Sequence, residues 1–274
     1  MKFLSAILTL LLFCGCATSP TGRQQLMLVS PEKAISDSKV AYRQMLQPLV
    51  KEGKIDSNPV VAERIQTITG RIIYQAIQPQ RYPHSKDWHW SIKVIDDPEV
   101  VNAWCMAGGK MAIYTGLLNK VKPTDDELAQ VLAHEISHAL ANHTAERMAR
   151  ARATQLGMLG VIVATHDSDH RTAIRTGSIA AAILAINLPN SRSSEAEADL
   201  MGIELAARAG YNPNAAATLW EKMGKVGGKT PPEFLSTHPS PGNRQSTLRN
   251  LAPQYMHLYQ EGPRPRQGYP FTSD

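Results

Sequence analysis

Leu128-Ala129-Gln130-Val131-Leu132-Ala133-His134-Glu135-Ile136-Ser137-His138-Ala139-Leu140-Ala141-Asn142-His143 is the stretch whose reading decides the fold. Apolar residues recur at helical spacing, at Leu128, Val131, Leu132, Ile136, Ala139 and Leu140, which predicts a helix with a core-facing stripe. Thr124 supplies an N-cap, and Asp125, Asp126 and Glu127 place negative charge in the first turn, where the helix dipole favours it. Within the helix lies His134-Glu135-Ile136-Ser137-His138, an H-E-x-x-H. Histidines four apart share a face, one turn above the other, so His134 and His138 can direct two imidazoles at one ion. Glu135 sits one step round the helix, within reach of a water on that ion and poorly placed to ligate. Two neutral nitrogens on zinc and one carboxylate as base are what metal-assisted hydrolysis requires.

The 274 residues suffice for one large domain or two small ones. A hydrophobic content of 43% with 19% charged residues belongs to a folded globular chain. The formal net charge is +5, its basic residues are scattered, and no Lys/Arg run is interleaved with aromatics. That argues against a nucleic-acid partner.

Met1-Lys2 is a short positive start, and Phe3 to Phe13 is an apolar run too short to span a bilayer. Cys14-Gly15-Cys16-Ala17 follows, with the layout of a secretory leader ending in a small residue. The segment also resembles a bacterial lipoprotein leader, in which the cysteine after the small residue is acylated and becomes the mature N-terminus. Cys16 fits that role better than Cys14, which follows the bulky Phe13. Ala17, in place of an aspartate, implies by the same resemblance the outer membrane. With Cys16 consumed, Cys105 is the one thiol of the mature chain, so no internal disulfide forms.

Thr18 to Val29 reads as a linker holding the body off the membrane. Ser30-Pro31 opens a helix to about Val50, and Asn58-Pro59 opens another to about Gln78. Trp88 to Ile95 alternates as a strand, and Val100 to Met106 with Lys110 to Tyr114 flank Ala107-Gly108-Gly109 as a hairpin. An edge of that sheet suits main-chain pairing with an extended peptide; an ordinary sheet edge is the alternative. The helical pattern continues past His143 to about Thr165. His166, Asp167, Asp169 and His170 read as a solvated loop. Arg171 to Leu188 reads as a buried helix or a cover over a cleft.

Zinc needs a third protein ligand and an open position. Ser191-Arg192-Ser193-Ser194-Glu195-Ala196-Glu197-Ala198-Asp199 begins another helix, with Glu195 and Asp199 four apart on one face. One can bind the metal while the other accepts the outer N–H of a ligating histidine. Acidic residues at a helix start also have a plainer use, in complementing the dipole. Glu197 is expected to point elsewhere. His143, nine positions past His134 and about two and a half turns on, is expected to face away.

The H-E-x-x-H followed by Ser191-Arg192-x-x-Glu195-x-Glu197-Ala198-Asp199 resembles the gluzincin family of the CAAX prenyl protease, its bacterial periplasmic relatives and the mitochondrial Oma-type protease. The resemblance runs from about Asn102 to Arg244. It implies one zinc ion held by His134, His138 and Glu195, with Glu135 as general base and Asp199 behind a ligand. Asn102-Ala103-Trp104 through Leu118 is similar to the family's pre-catalytic edge strand. Ser236-Thr237-His238-Pro239-x-x-x-x-Arg244 resembles its His-Pro segment. By that likeness His238 stabilises an oxyanion or fills the open position of zinc in a latent state; a structural histidine is the alternative. Arg192 is expected to orient the site. Prenyl-protein processing does not fit, because the chain lacks the long apolar segments of the membrane-spanning members.

These readings give a mainly α chain with a small antiparallel β-sheet, a zincin-like metallopeptidase. The expected organisation is a lipoprotein leader (1–15), a linker (16–30), the peptidase domain (31–260) and a flexible Pro-rich tail (261–274). The expected activity is zinc-dependent cleavage of misfolded or misassembled envelope proteins in the periplasm, by a chain lipid-anchored at the outer membrane. Two rivals are a chaperone-like assembly factor that rarely cuts and a zinc-stabilised scaffold.

Overall fold

The computed structural model describes residues 16–164, 183, 187–226, 232–239, 243–261 and 268–271. Strands β1 (Cys16–Thr18) and β2 (Gln24–Leu26) pair antiparallel as a short hairpin. Helix α1 (Pro31–Lys51) starts where the Ser30 side chain accepts the Lys33 N–H, with proline filling a first-turn position that has no donor to satisfy. Asn58 caps α2 (Pro59–Ala76) in the same manner, accepting from Val60 and Val61. Three strands follow: β3 (Ser91–Ile95), β4 (Ala103–Met106) and β5 (Lys110–Tyr114).

The expected hairpin is present, with Gly108 and Gly109 both at positive φ in its turn. A side chain is excluded at Gly109, where a Cβ would lie 2.3 Å from the Trp90 ring. The sheet departs from expectation in one respect. Its order is β3-β5-β4, and β3 runs parallel to β5. The connection from β3 passes across to β4 before the hairpin returns, so the sheet is mixed.

After a π-helical turn at Leu117–Val121 comes α3 (Asp125–Leu140), the helix of the H-E-x-x-H. Its first turn carries a complete capping box between Thr124 and Glu127. Every residue from Glu127 to Leu140 is buried, so α3 is the central rod rather than a surface helix. Leu128, Leu132 and Ile136 share one buried core with Ile65, Ile68, Ile72 and Ile73 of α2, Met111 and Ile113 of β5, and Met201 and Leu205 from later in the chain. Each such aliphatic side chain contributes about 1.5–3 kcal/mol through burial.

The helix does not run on through His143. Ala141 closes it, Asn142 adopts a left-handed conformation (φ 56°), and α4 (His143–Ala164) starts afresh. Asparagine tolerates that conformation, which ends helices. Beyond it lie α5 (Arg192–Arg208), α6 (Ala215–Lys225), the short α7 (Glu233–Thr237) and α8 (Arg244–Glu261). Helix α5 lies directly against α3, and Gly202 permits the approach: a Cβ there would stand 3.0 Å from the His134 backbone nitrogen.

Two segments read as free are bonded to the body. The stretch 16–30, expected as a linker, holds the β1–β2 hairpin, tied through Gln25 to the Ala141 carbonyl at 2.7 Å. In the Pro-rich tail, Tyr269 donates its N–H to the Gly70 carbonyl at 2.9 Å, and Tyr269 and Phe271 pack on the main core. The loop histidines and aspartates at 166–170 and most of the apolar stretch 171–188 lie outside the described residues. Among the described residues, no helix is long and apolar enough to cross a membrane.

Candidate metal centre

Helix α3 presents His134 and His138 on one face, and their Nε2 atoms stand 3.0 Å apart. Helix α5 brings Glu195 opposite them: Oε2 lies 3.3 Å from His134 Nε2 and Oε1 lies 3.3 Å from His138 Nε2. The third partner is His238, held at the C-terminal end of α7. Its ring stacks on Phe234 at 4.3 Å, and its N–H bonds the Phe234 carbonyl at 2.9 Å. His238 Nδ1 is 3.3 Å from His134 Nε2 and 3.1 Å from Glu195 Oε1. Four donors, all buried, thus converge from three elements. A tetrahedron with metal–ligand distances of about 2.0–2.2 Å has edges of about 3.3–3.6 Å. Separations of 3.0–3.3 Å between these donors suit one small cation. Three imidazoles and one carboxylate are zinc's preferred chemistry.

Glu135 points into the same space without joining the donor set. Its Oε1 is 3.3 Å from His238 Nε2 yet buried with no hydrogen-bond partner. Burial pushes its carboxyl above the usual range, opposed by the neighbouring histidines.

The two helix histidines are backed differently. His134 turns Nδ1 toward Asp199 Oδ1 at 3.0 Å. Burial and the nearby Arg244 oppose its protonation, but Asp199 and Glu195 outweigh them and raise its pKa to about 9. Arg244, at the start of α8, bonds Glu195 Oε2 at 2.9 Å and Asp199 Oδ1 at 2.5 Å, with its guanidinium 3.7 Å over the Trp220 ring. It thereby fixes both carboxylates of α5 at once. Arg192, expected to orient the site, is exposed in the first turn of α5; Arg244 takes that place.

His138 is backed by a relay. Its Nδ1 lies 2.7 Å from His143 Nδ1, and His143 Nε2 lies 3.1 Å from Glu197 Oε2. An ionised carboxylate only accepts, so His143 carries its proton on Nε2 and offers Nδ1 as acceptor. His138 then donates from Nδ1, which leaves Nε2 with its lone pair facing the cluster. Burial holds His138 and His143 below the usual histidine range, in the neutral form this chain of donors requires.

These positions correct two readings. His143 does not face away, because the helix break at Asn142 swings it back onto His138. Glu197 does not point elsewhere; its Oε2 faces His143 Nε2. The signal for the break was Ala141-Asn142, a residue pair suited to a helix end. Nothing in the spacing of Glu197 marked it apart from a solvent-facing acid.

Comparison with known proteins agrees with this geometry. The chain is 33% identical over 261 residues to "Metalloendopeptidase OMA1, mitochondrial" of Homo sapiens, covering 90% of this chain and 48% of that one. It is 28% identical over 271 residues to "Mitochondrial metalloendopeptidase OMA1" of Saccharomyces cerevisiae, covering 92% and 75%. It is 31% identical over 233 residues to "Beta-barrel assembly-enhancing protease" of Yersinia pestis, covering 82% and 45%. The chain therefore spans about half the length of the human and Yersinia proteins. Residues 59–252, which include every donor above, match the profile of Peptidase family M48. A donor cluster of zinc size, a buried carboxylate oxygen without a hydrogen bond beside it and this match together make the chain a zinc metallopeptidase of family M48.

Proposed function

We propose that this chain is an endopeptidase that degrades misfolded or misassembled cell-envelope proteins, with Glu135 as its general base. The observation that carries the reading is Glu135 Oε1, buried without a hydrogen-bond partner beside the donor cluster. A buried carboxylate oxygen without a hydrogen bond costs stability, and such groups concentrate where chemistry needs them. His134, His138 and Glu195 hold the metal. The chemistry zinc supplies there, when bound, is polarisation of a scissile carbonyl and a lowered pKa, about 7, for water at an open position. Glu135 accepts the proton of the attacking water, whose oxygen bonds to the carbonyl carbon. As the C–N bond breaks, Glu135 passes that proton to the leaving amine. Glu135→Gln is expected to lower casein cleavage by about 10²–10⁴-fold with zinc content unchanged. Cleavage at the wild-type rate would overturn this assignment.

His238 Nδ1 lies 3.3 Å from His134 Nε2 and 3.1 Å from Glu195 Oε1, at the corner that a substrate or water would need, which supports the latent reading of this histidine. Among the described residues β4 is an edge of the sheet, and all four of its residues are buried. His238→Ala is expected to raise casein cleavage. A fall as deep as that of Glu135→Gln would instead make His238 part of the chemistry.

The same four-donor closure favours one second reading, an assembly factor for outer-membrane proteins that rarely cuts. Under that reading Glu135→Gln complements a deletion strain; under proteolysis it does not. Placement in the periplasm at the outer membrane rests on the leader-like segment ahead of Cys16 and on the likeness to a protein named for β-barrel assembly. Acylation at Cys16 predicts that Cys16→Ser moves the protein from the membrane to the soluble fraction.

A further inference from the structure

The relay behind His138 does not stop at Glu197. Thr21, in the turn of the N-terminal hairpin, donates its hydroxyl to Glu197 Oε1 at 2.6 Å. Arg23, at the end of that turn, donates Nε to Glu197 Oε2 at 2.8 Å. The other two nitrogens of the same guanidinium reach Glu146 of α4, at 3.1 and 2.7 Å. Gln25 follows in β2, bonding Glu146 Oε2 at 3.2 Å and the Ala141 carbonyl at 2.7 Å, beside the helix break that places His143. The hairpin is thus sewn to both elements that the relay joins: α5 through Glu197, and the α3–α4 junction through Glu146 and Ala141.

The placement is specific. Both oxygens of Glu197 are engaged by hairpin side chains, and Oε2 is also the atom that meets His143. A planar guanidinium that grips two carboxylates from different helices fixes their separation as well as their charge. We propose that the β1–β2 hairpin is a working part of the metal centre: Thr21 and Arg23 position Glu197, which through His143 fixes His138 as a ligand. They are positioning residues, since neither touches the donor cluster. The proposal rests on the metal site alone and not on what the enzyme cuts.

The test uses the full chain, with zinc affinity read by competition with a chromophoric chelator and ligand geometry read from the visible spectrum of the cobalt(II)-substituted protein. Arg23→Ala is expected to weaken zinc binding by about 10-fold or more and to shift the cobalt bands, the range seen when outer partners of ligands are removed. Arg23→Lys, which keeps one charged contact, restores part of the affinity. Thr21→Val deletes a single hydroxyl and settles the matter should Arg23→Ala fail to fold; a smaller loss in the same direction is expected. Gln24→Ala is the control, since that exposed side chain bonds only Thr18 among the described residues. Wild-type affinity and spectrum in Arg23→Ala or Thr21→Val would overturn the proposal. So would an equal loss in Gln24→Ala, which would mean general support by the hairpin. Wild-type and His238→Ala proteins that both bind zinc but leave casein intact would defeat the proteolytic reading and leave this inference standing.

Discussion

His134 and His138 sit on one helix, one turn apart, and face one cluster, yet they are held from opposite directions. Behind His134 stands a carboxylate in direct contact, Asp199, pinned by Arg244 from the C-terminal helix. Behind His138 stands a second histidine, then a carboxylate, then an N-terminal hairpin. The first support is short because α5 lies against α3 at Gly202, close to His134. The second is long because His138 lies nearer the end of α3, where the chain turns and another ring enters. One zinc site thus ties the β1–β2 hairpin to helix α8, and a perturbation in either element should reach it.

The strongest way to break this comparison is at the residue the two sides share. Glu195 touches His134, His138 and Arg244, and its carboxyl is held far below the usual range despite burial, by His238 first and then by His138 and His134. Glu195→Gln leaves the buried Arg244 short of a partner and should cost about 3–5 kcal/mol in urea unfolding of metal-free protein. A loss under about 1 kcal/mol would show that the two supports do not meet there.

Next come the supports themselves. Asp199→Asn and His143→Ala should each weaken zinc binding by about 10–100-fold, measured by chelator competition. Additive losses in the double variant would mark independent supports; a shortfall would mark coupling through Glu195. The helix contact is tested by Gly202→Ala, whose added Cβ meets the His134 backbone at 3.0–3.1 Å. It should cost about 1–3 kcal/mol of stability, since backbone cannot step aside as a flexible side chain can. A neutral Gly202→Ala would refute the close approach of the two helices.

The smallest effects lie at the far end of α3, away from the metal. Thr124→Ala removes half of the capping box and should cost about 1 kcal/mol. Glu127 is held below the usual carboxylate range: burial opposes this, but Lys222, the Thr124 N–H and the Thr218 hydroxyl outweigh it. A carboxyl depressed on folding stabilises above its unfolded pKa, and that gain is lost as pH falls toward the folded value. Lys222→Met should therefore flatten the loss of stability between about pH 5 and pH 3, read from urea midpoints. An unchanged acid limb would remove Glu127 as a contributor.

Much of this was legible because local periodicity carries it. The caps at Ser30, Asn58 and Thr124 and the β4–β5 turn stand where local propensity puts them. The parallel β3–β5 pairing was not legible, since alternation marks a strand without naming its neighbour. His143 was misread because an unbroken helical pattern was carried past Asn142. Glu197 was marked only by its place in the family motif, and Thr21 and Arg23 carried no signal, being two residues of a polar stretch.

By itself the sequence determined the parts whose geometry one helix enforces. Residues four apart must share a face, so the histidine pair and the Glu195–Asp199 pair were settled by spacing. The family resemblance, not spacing, gave the expectation for Glu195 over Asp199 and for His238; that Arg244 bonds both carboxylates, that His143 returns onto His138 and that the β1–β2 hairpin reaches Glu197 were decided only by tertiary structure. Contacts between elements depend on packing distance and on where helices end, and no periodicity within a single element encodes either.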